Sequence, residues 1–309
     1  MSAVEQSSAP TAPASNNRLS SFVTTPVDDA SGTLGALGVF AAQITGIDLR
    51  EPIDAVTKVT IEEALVEHHV LVFRDQDLDA QQQNDFTLNF GEIENHVIRR
   101  RDGGRTSLVH VISNLDENAQ PTVTPHSFGN YYWHTDKSYH DIPSFATLLH
   151  AKTLPPSGGD TQFTNMYLGY ERLSAARKQE LEGLRVVHSW EASRINTGNR
   201  PASEEEKRER PPVEHPLIRT HPVSGRKLLY IGMHTSHIVG MAHDEGKALL
   251  TELLELSTQP EFIYTHQWRA GDLVMWDNRC LVHRALDNYE MGRFPRVMHR
   301  TVIKGSKPF

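Results

Sequence analysis

His-x-Asp or His-x-Glu occurs twice among the seventeen histidines of this chain, as His134-Thr135-Asp136 and His243-Asp244-Glu245. In a strand, residues i and i+2 point to one face, so His134 and Asp136 can both reach a single ion without distorting the backbone. The second match opens a helical stretch, "HDEGKALLTELLELS", where acids in the first turn complement the helix dipole. It is not expected to hold metal. A third ligand for the first pair is His283, which follows an apolar strand and a turn in "GDLVMWDNRCLVHRAL". Two histidines and one carboxylate leave adjacent coordination positions open, the arrangement of non-haem Fe(II) oxygenases. A closed zinc site would draw on cysteines, and Cys280 is the single one.

The stretch "RVMHRTVIKG" alternates as a strand, which puts Arg296, Met298 and Arg300 on one face. At about 3.3 Å per residue the two guanidinium groups leave the backbone roughly 13 Å apart. Turned inward, each needs an anion, because an unpaired buried charge is costly. One place then suits a dicarboxylate co-substrate and the other an acidic substrate. Turned outward, the same face is ordinary surface.

The elements that must position these groups read as mainly β with flanking helices. "TIEEALVEHHVLVF" predicts a helix feeding a strand, and "LDAQQQNDFTLNFG" a second helix with Asp79 as its N-cap and Gly91 past its end. Beyond residue 105 short strands follow: "SLVHVIS", "SFATLLHAKTL" and "DTQFTN", with two helices near residues 165–182. "SEEEKRERPPVE", residues 203–214, is a charge run ended by prolines and is read as a solvated loop or lid. "HPLIRTHPVSGRKLLYIG" predicts two strands joined by a Ser-Gly turn. With no repeat and no linker, the pattern favours a two-sheet jelly roll, a double-stranded β-helix, over residues 21–309. Residues 1–20, rich in Ser, Ala, Pro and Asn, are expected to be a disordered tail.

Composition limits the partners. A formal charge of −8 gives no general attraction to nucleic acid or anionic membranes. Any anionic ligand must be held by local arginines. No apolar run is long enough to span a bilayer, and the N-terminus lacks the basic start and apolar centre of a signal peptide. A single cysteine fits a reducing compartment. A cytoplasmic homo-oligomer acting on a small organic acid is expected, with neither nucleic acid nor membrane as partner.

At these residues the chain resembles the taurine/2,4-dichlorophenoxyacetate dioxygenase family of Fe(II)- and 2-oxoglutarate-dependent enzymes. The likeness runs over roughly residues 33–305, through "ITGIDLREP", "VLVFRDQDL", "FGEIENH", "NYYWHTDKSY", "LPPSGGDTQF", "WDNRCLVHRA" and "RVMHRTVI". It implies that His134, Asp136 and His283 are the iron ligands, and that Thr161 and Arg296 hold the far carboxylate of 2-oxoglutarate. It further implies that Arg300 grips the acidic group of the substrate, with Asn130 and His96 lining its pocket. The distance in sequence from His283 leaves Arg293 as a competitor, although "RVMHR" favours Arg296. The segment after His96, "VIRRRDGGR", departs from the taurine-enzyme pattern. The implied reaction consumes dioxygen, converts 2-oxoglutarate to succinate and carbon dioxide, and hydroxylates a substrate carbon. An ether at that carbon would be cleaved; a sulfonate there would leave as sulfite. "LLYIGMHTSHIVGM" and "WDNRCLVHRA" lie closer to the aryloxyalkanoate branch, with taurine, alkylsulfonate or sulfate-ester oxidation as the alternative. Outside enzymes, the remaining reading is a catalytically silent jelly-roll anion binder.

Overall fold

Short strands bounded by Gly, Pro and Asn turns dominate the structure, a computed structural model that describes residues 23–26, 40–94, 109–123 and 128–309. The tail expected over residues 1–20 and the position of His96 lie outside the described residues. The N-terminal half runs β1 (Val23–Pro26), β2 (Ala41–Thr45), α1 (Ala55–His68), β3 (Val70–Phe73), α2 (Ala80–Leu88), β4 (His110–Ser113), β5 (Ser144–Thr153) and β6 (Thr161–Asn165). Next come α3 (Met166–Glu171), α4 (Ala175–Leu181), β7 (Arg185–His188), α5 (Trp190–Asn196), α6 (Glu204–Glu209) and β8 (Val213–Pro216). The remainder is β9 (Ile218–Thr220), β10 (Lys227–Leu229), β11 (Thr235–Ile238), α7 (His243–Ser257), β12 (Ile263–His266), β13 (Leu273–Asp277), β14 (Leu281–Ala285) and β15 (Val297–Lys304).

A seven-stranded sheet, in the order β1-β2-β3-β13-β5-β15-β4, forms one layer. Its central strands are buried on both faces, and alternate residues go to separate apolar clusters. Val70, Val72, Val274, Trp276, Leu149 and Met298 face the second layer. Leu71, Phe73, Leu273, Met275, Leu148 and Ile303 face the helices α1 and α2. The period of two thus divides one run of apolar residues between two cores. Each such side chain contributes about 1.5–3 kcal/mol when fully buried.

The second layer is stitched from small sheets. The order β12-β6-β14 continues through a single bridge between His283 and His134. From there Met233 N–H donates to the Trp133 carbonyl at 2.9 Å and leads into β11-β7-β8. Two sheets packed face to face under a helical cover make the expected jelly roll.

Local signals account for the helix ends. The Asp54 side chain caps α1 by accepting from Thr57 N–H at 2.7 Å, and His69, with φ 64°, ends it. Asp79 and Gln82 form a reciprocal capping box on α2. One expectation is corrected here. Residues 203–214 are not a structureless loop: Ser203 and Glu206 make a capping box and start α6. Three acids in its first turn and Lys207 and Arg208 in its last complement the dipole, and after Pro211-Pro212 the chain enters β8.

Candidate active site

His134 and His283 are neighbours across one backbone rung. His134 N–H donates to the His283 carbonyl at 3.1 Å, and His283 N–H returns a bond of 2.7 Å to that of His134. Their ring centroids lie 4.2 Å apart. Asp136 joins them from a turn, not from the regular strand that the i, i+2 spacing suggested. Side-chain bonds replace the ladder there: Thr135 Oγ1 donates to the Asn278 carbonyl at 2.6 Å, and Asp136 N–H to Asn278 Oδ1 at 3.3 Å. The result is one buried group whose three ligand atoms all fall within 4.8 Å of one another.

The donor set fits Fe(II). His134 Nδ1 lies 2.7 Å from the Tyr132 carbonyl; a carbonyl can only accept, so Nδ1 carries the proton and Nε2 keeps its lone pair. Nε2 is 3.9 Å from Asp136 Oδ1. Burial drives both His134 and His283 below the ordinary imidazole range, which keeps them neutral. Burial works to raise the Asp136 carboxyl, but the Arg300 guanidinium and the Thr147 hydroxyl work against it, and it lies well below the usual range. Two neutral nitrogens and one anionic oxygen, without thiolate, suit a non-haem Fe(II) centre with open positions. A second buried trio, His221, Asp277 and Cys280, has comparable spacing and does not fit. His221 Nδ1 accepts from Ser224 N–H at 3.1 Å, so the proton sits on Nε2, facing Asp277. Arg279 meanwhile occupies both Asp277 oxygens, at 2.8 and 2.6 Å.

Behind the triad, Thr147 on β5 donates to Asp136 Oδ2 at 2.5 Å. The same hydroxyl accepts from Asn278 Nδ2 at 2.9 Å, and Trp276 Nε1 donates to Asn278 Oδ1 at 3.0 Å. All four groups are buried. Oδ2 is thereby engaged and Oδ1 turned toward the histidines.

Thr161 lies on the same sheet face as His283, because β6 and β14 pair Phe163 with His283 and Thr161 with Ala285. Its Oγ1 accepts from Trp268 Nε1 at 3.0 Å, which leaves the hydroxyl proton free to donate elsewhere. Arg296 is buried just before β15, after which the β5 pairing slips between Val297 and Met298. Its Nε donates to the Gly159 carbonyl at 2.9 Å. Gly159 has φ +70°, and a Cβ there would meet Arg296 Cδ at 3.0 Å; only glycine admits the guanidinium so close. Among the described residues Arg296 makes no ion pair. Arg293, the competitor, is exposed and pairs with Glu290 at 3.4 Å.

Arg300 faces the triad, with Nη1 3.4 Å from Asp136 Oδ1 and Nε buried without a hydrogen-bond partner. The sequence reading sought an anion for Arg300 and did not foresee Asp136 as a neighbour. A cavity of about 290 Å³ opens over His134, Asp136 and Arg300, and Asn130, Tyr139 and Trp190 are among its other walls. His96 lies outside the described residues. Of the supporting groups, Thr147 and Trp268 escaped the sequence reading. The hydroxyl set between Ala146 and Leu148 in the apolar stretch "FATLL" was the available signal for the first.

Residues 29–302 match the sequence model of the family described as taurine catabolism dioxygenase TauD, TfdA family. An alpha-ketoglutarate-dependent 2,4-dichlorophenoxyacetate dioxygenase of Cupriavidus pinatubonensis is 43% identical over 256 residues, spanning 80% of this chain and 88% of that protein. An alpha-ketoglutarate-dependent sulfate ester dioxygenase of Pseudomonas putida is 30% identical over 279 residues, 88% of each chain. The crystal structure of AAD-2 in complex with Mn(II) and N-oxalylglycine superposes with a TM-score of 0.81 at 37% identity, covering 93% of this chain and 98% of that one.

Proposed function

The chain belongs to the TauD, TfdA family of taurine catabolism dioxygenases, and from that premise we propose that it hydroxylates a small acid of the aryloxyalkanoate type and so cleaves its ether. It is an Fe(II)- and 2-oxoglutarate-dependent dioxygenase. The observation that carries the substrate class is Arg300, a guanidinium with an unspent buried Nε in the same cavity as His134 and Asp136. The 43% identity to a 2,4-dichlorophenoxyacetate enzyme supports the aryloxy form. Sulfate esters or sulfonates, suggested by the Pseudomonas putida relative, are the second reading.

His134 Nε2, Asp136 Oδ1 and His283 would hold the iron. With 2-oxoglutarate and dioxygen, Fe(II) supplies the chemistry that releases succinate and carbon dioxide and places one oxygen atom in a substrate C–H bond. The protein orients the reactants. Arg296 offers a planar fork to the far carboxylate of 2-oxoglutarate, and Thr161 adds its free hydroxyl proton. Arg300 receives the acid of the substrate. Its contact with Asp136 at 3.4 Å is looser than a charge-assisted bond of about 2.7–2.9 Å, so the guanidinium is not saturated. Asn130 lines the same pocket, and by family position His96 would contact the substrate. A cavity of about 290 Å³ sits at the lower end of the roughly 300–1,000 Å³ of ligand sites, which suits one small molecule. A hydroxyl placed on the carbon beside an ether oxygen gives a hemiacetal, which falls apart to a phenol and an aldehyde. Homo-oligomerisation and a cytoplasmic location belong to the same reading; sedimentation of the full chain reports the first.

The test is succinate formation with an aryloxyacetate, its methyl ester and an alkylsulfonate. The ester should be a poor substrate. Removing one partner of a buried pair costs about 3–5 kcal/mol, a few hundred-fold or more, so Arg300→Ala should lose the acid on that scale while consuming 2-oxoglutarate slowly. An ester that works as well as the acid refutes the role of Arg300.

A further inference from the structure

Both α5 and α6 lie in the connection between β7 and β8. Trp190, Ser193, Arg194 and Thr197, spaced along one helical face, all border the substrate cavity. On that face the two hydroxyls have committed donors, whereas Arg194 commits only its Nε and keeps its Nη groups for the cavity. Ser193 Oγ donates to the Trp190 carbonyl at 2.6 Å, and Thr197 Oγ1 to the Ser193 carbonyl at 2.7 Å. Arg194 Nε donates to the Arg200 carbonyl at 2.7 Å. The aromatic surface that this wall offers a ligand is the indole ring of Trp190. That ring lies 5.2 Å from Tyr139, which lies 4.9 Å from His234, so aromatic surface runs from beside the triad out to α5.

Trp190 is held from α6 as well. Arg210, the residue that ends α6, places Cζ 4.6 Å from the centre of the indole ring. One residue along α5, Glu191 pairs with Lys207 of α6 at 2.9 Å. A merely solvated charge run would not aim two successive contacts at the helix that borders the cavity.

We propose that Trp190 determines specificity for the ring end of the substrate, and that α6 is a clasp holding Trp190 in place through Arg210 and Lys207. The proposal rests on the reading of this cavity as the substrate site and adds what selects the ring. An acid gripped by Arg300 lays an aryl group against Trp190 and Tyr139, whereas a short alkyl chain leaves that surface bare. The contacts are of modest strength individually. Aromatic pairs contribute about 0.5–1.5 kcal/mol and exposed cation–π pairs about 0.5–1 kcal/mol.

The experiment compares KM and kcat for phenoxyacetate and ethoxyacetate in wild type, Trp190→Ala, Trp190→Phe and Arg210→Ala, with the KM for 2-oxoglutarate measured alongside. Trp190→Ala should raise the KM for phenoxyacetate about tenfold relative to ethoxyacetate. Trp190→Phe keeps a ring and should retain most of the preference. Arg210→Ala, which leaves every cavity wall in place, should erode it about threefold, mainly through KM. An unchanged phenoxy-to-ethoxy ratio in Trp190→Ala, or a loss in Trp190→Phe as large as in Trp190→Ala, overturns the role of the ring. An unchanged ratio in Arg210→Ala overturns the clasp, and that partly exposed substitution decides the matter even if Trp190→Ala folds poorly. Should the wild type turn over only sulfur acids, the aryloxyalkanoate reading fails. The same ratio is then read with benzyl and ethyl sulfate esters, each of which has a C–H bond beside the ester oxygen, and its loss there still supports the clasp.

Discussion

Replacing Thr147 by valine keeps the branched shape on β5 and removes one hydroxyl that serves two neighbours. That hydroxyl donates to Asp136 Oδ2 at 2.5 Å and accepts from Asn278 Nδ2 at 2.9 Å, in a place closed to water. A hydrogen bond to a charged group contributes about 1.5–3 kcal/mol, and a stranded buried donor costs about 1–3 kcal/mol more. Part of that loss falls on the fold and part on the orientation of Asp136. Removing an outer partner of a metal ligand typically weakens metal binding about 10–100-fold, and Thr147→Val should fall in that range. Calorimetric titration with Mn(II) gives the affinity without turnover, and the visible spectrum of the Co(II) form reports the coordination geometry. Thr147→Ser retains the hydroxyl and should recover most of the affinity, although it leaves a small void. A urea midpoint for each variant separates loss of fold from loss of metal. If Thr147→Val binds Mn(II) as tightly as wild type, Oδ2 needs no anchor and the reasoning is wrong.

Two further outcomes follow from burial and charge. Arg296→Lys replaces a planar fork by a point charge; it should weaken 2-oxoglutarate binding at least about tenfold while leaving Mn(II) affinity nearly unchanged, and an unaltered co-substrate dissociation constant would remove Arg296 from that role. Burial lowers His69 and His150 from an ordinary 6.5 to about 4, so the unfolded chain takes up protons that the folded chain refuses. Their stabilising contribution is full above about pH 6.5 and drains away as the pH falls toward 4, by up to about 3 kcal/mol for each ring. His69→Asn, whose side chain tolerates a positive φ, should flatten the fall in urea midpoint across that window. A slope parallel to wild type would show that His69 is not its source.

The elements that were legible in the sequence are those with a local cause. Asp79 announces α2 as its N-cap, and the apolar runs "VLVF" and "LVMWD" announce strands, although their division between two clusters came only with the structure. The meeting of His134, Asp136 and His283 was legible by residue type, but for a partly mistaken reason. His134 rests on a single rung and Asp136 on a turn, because side chains of residues 135 and 278, far apart in sequence, take the place of a ladder. The two arginines were legible as sharing one strand face, but the pattern left open whether that face turned inward. That Arg300 neighbours Asp136 was not legible, since it depends on how β15 packs over a turn. The charge run at residues 203–214 misled for the opposite reason. Its composition is that of a solvated segment, and only the tertiary contacts to Glu191 and Trp190 give it a task.

The placement of α5 and α6 has a consequence for how such an enzyme diversifies. β7 and β8 are hydrogen-bonded neighbours, with Arg185 opposite Pro216 and His188 opposite Val213, so the whole excursion between them leaves and returns at one edge of the fold. A loop closed in this way can lengthen, shorten or be exchanged at a cost that grows only slowly with its length. His134, Asp136 and His283 sit elsewhere, the two histidines joined by backbone bonds and the aspartate held by a threonine of the central sheet. Drift in residues 189–212 can therefore explore new substrates while the oxidising centre stays put. A graft of this one segment from a relative with another appetite would be expected to carry the substrate range with it.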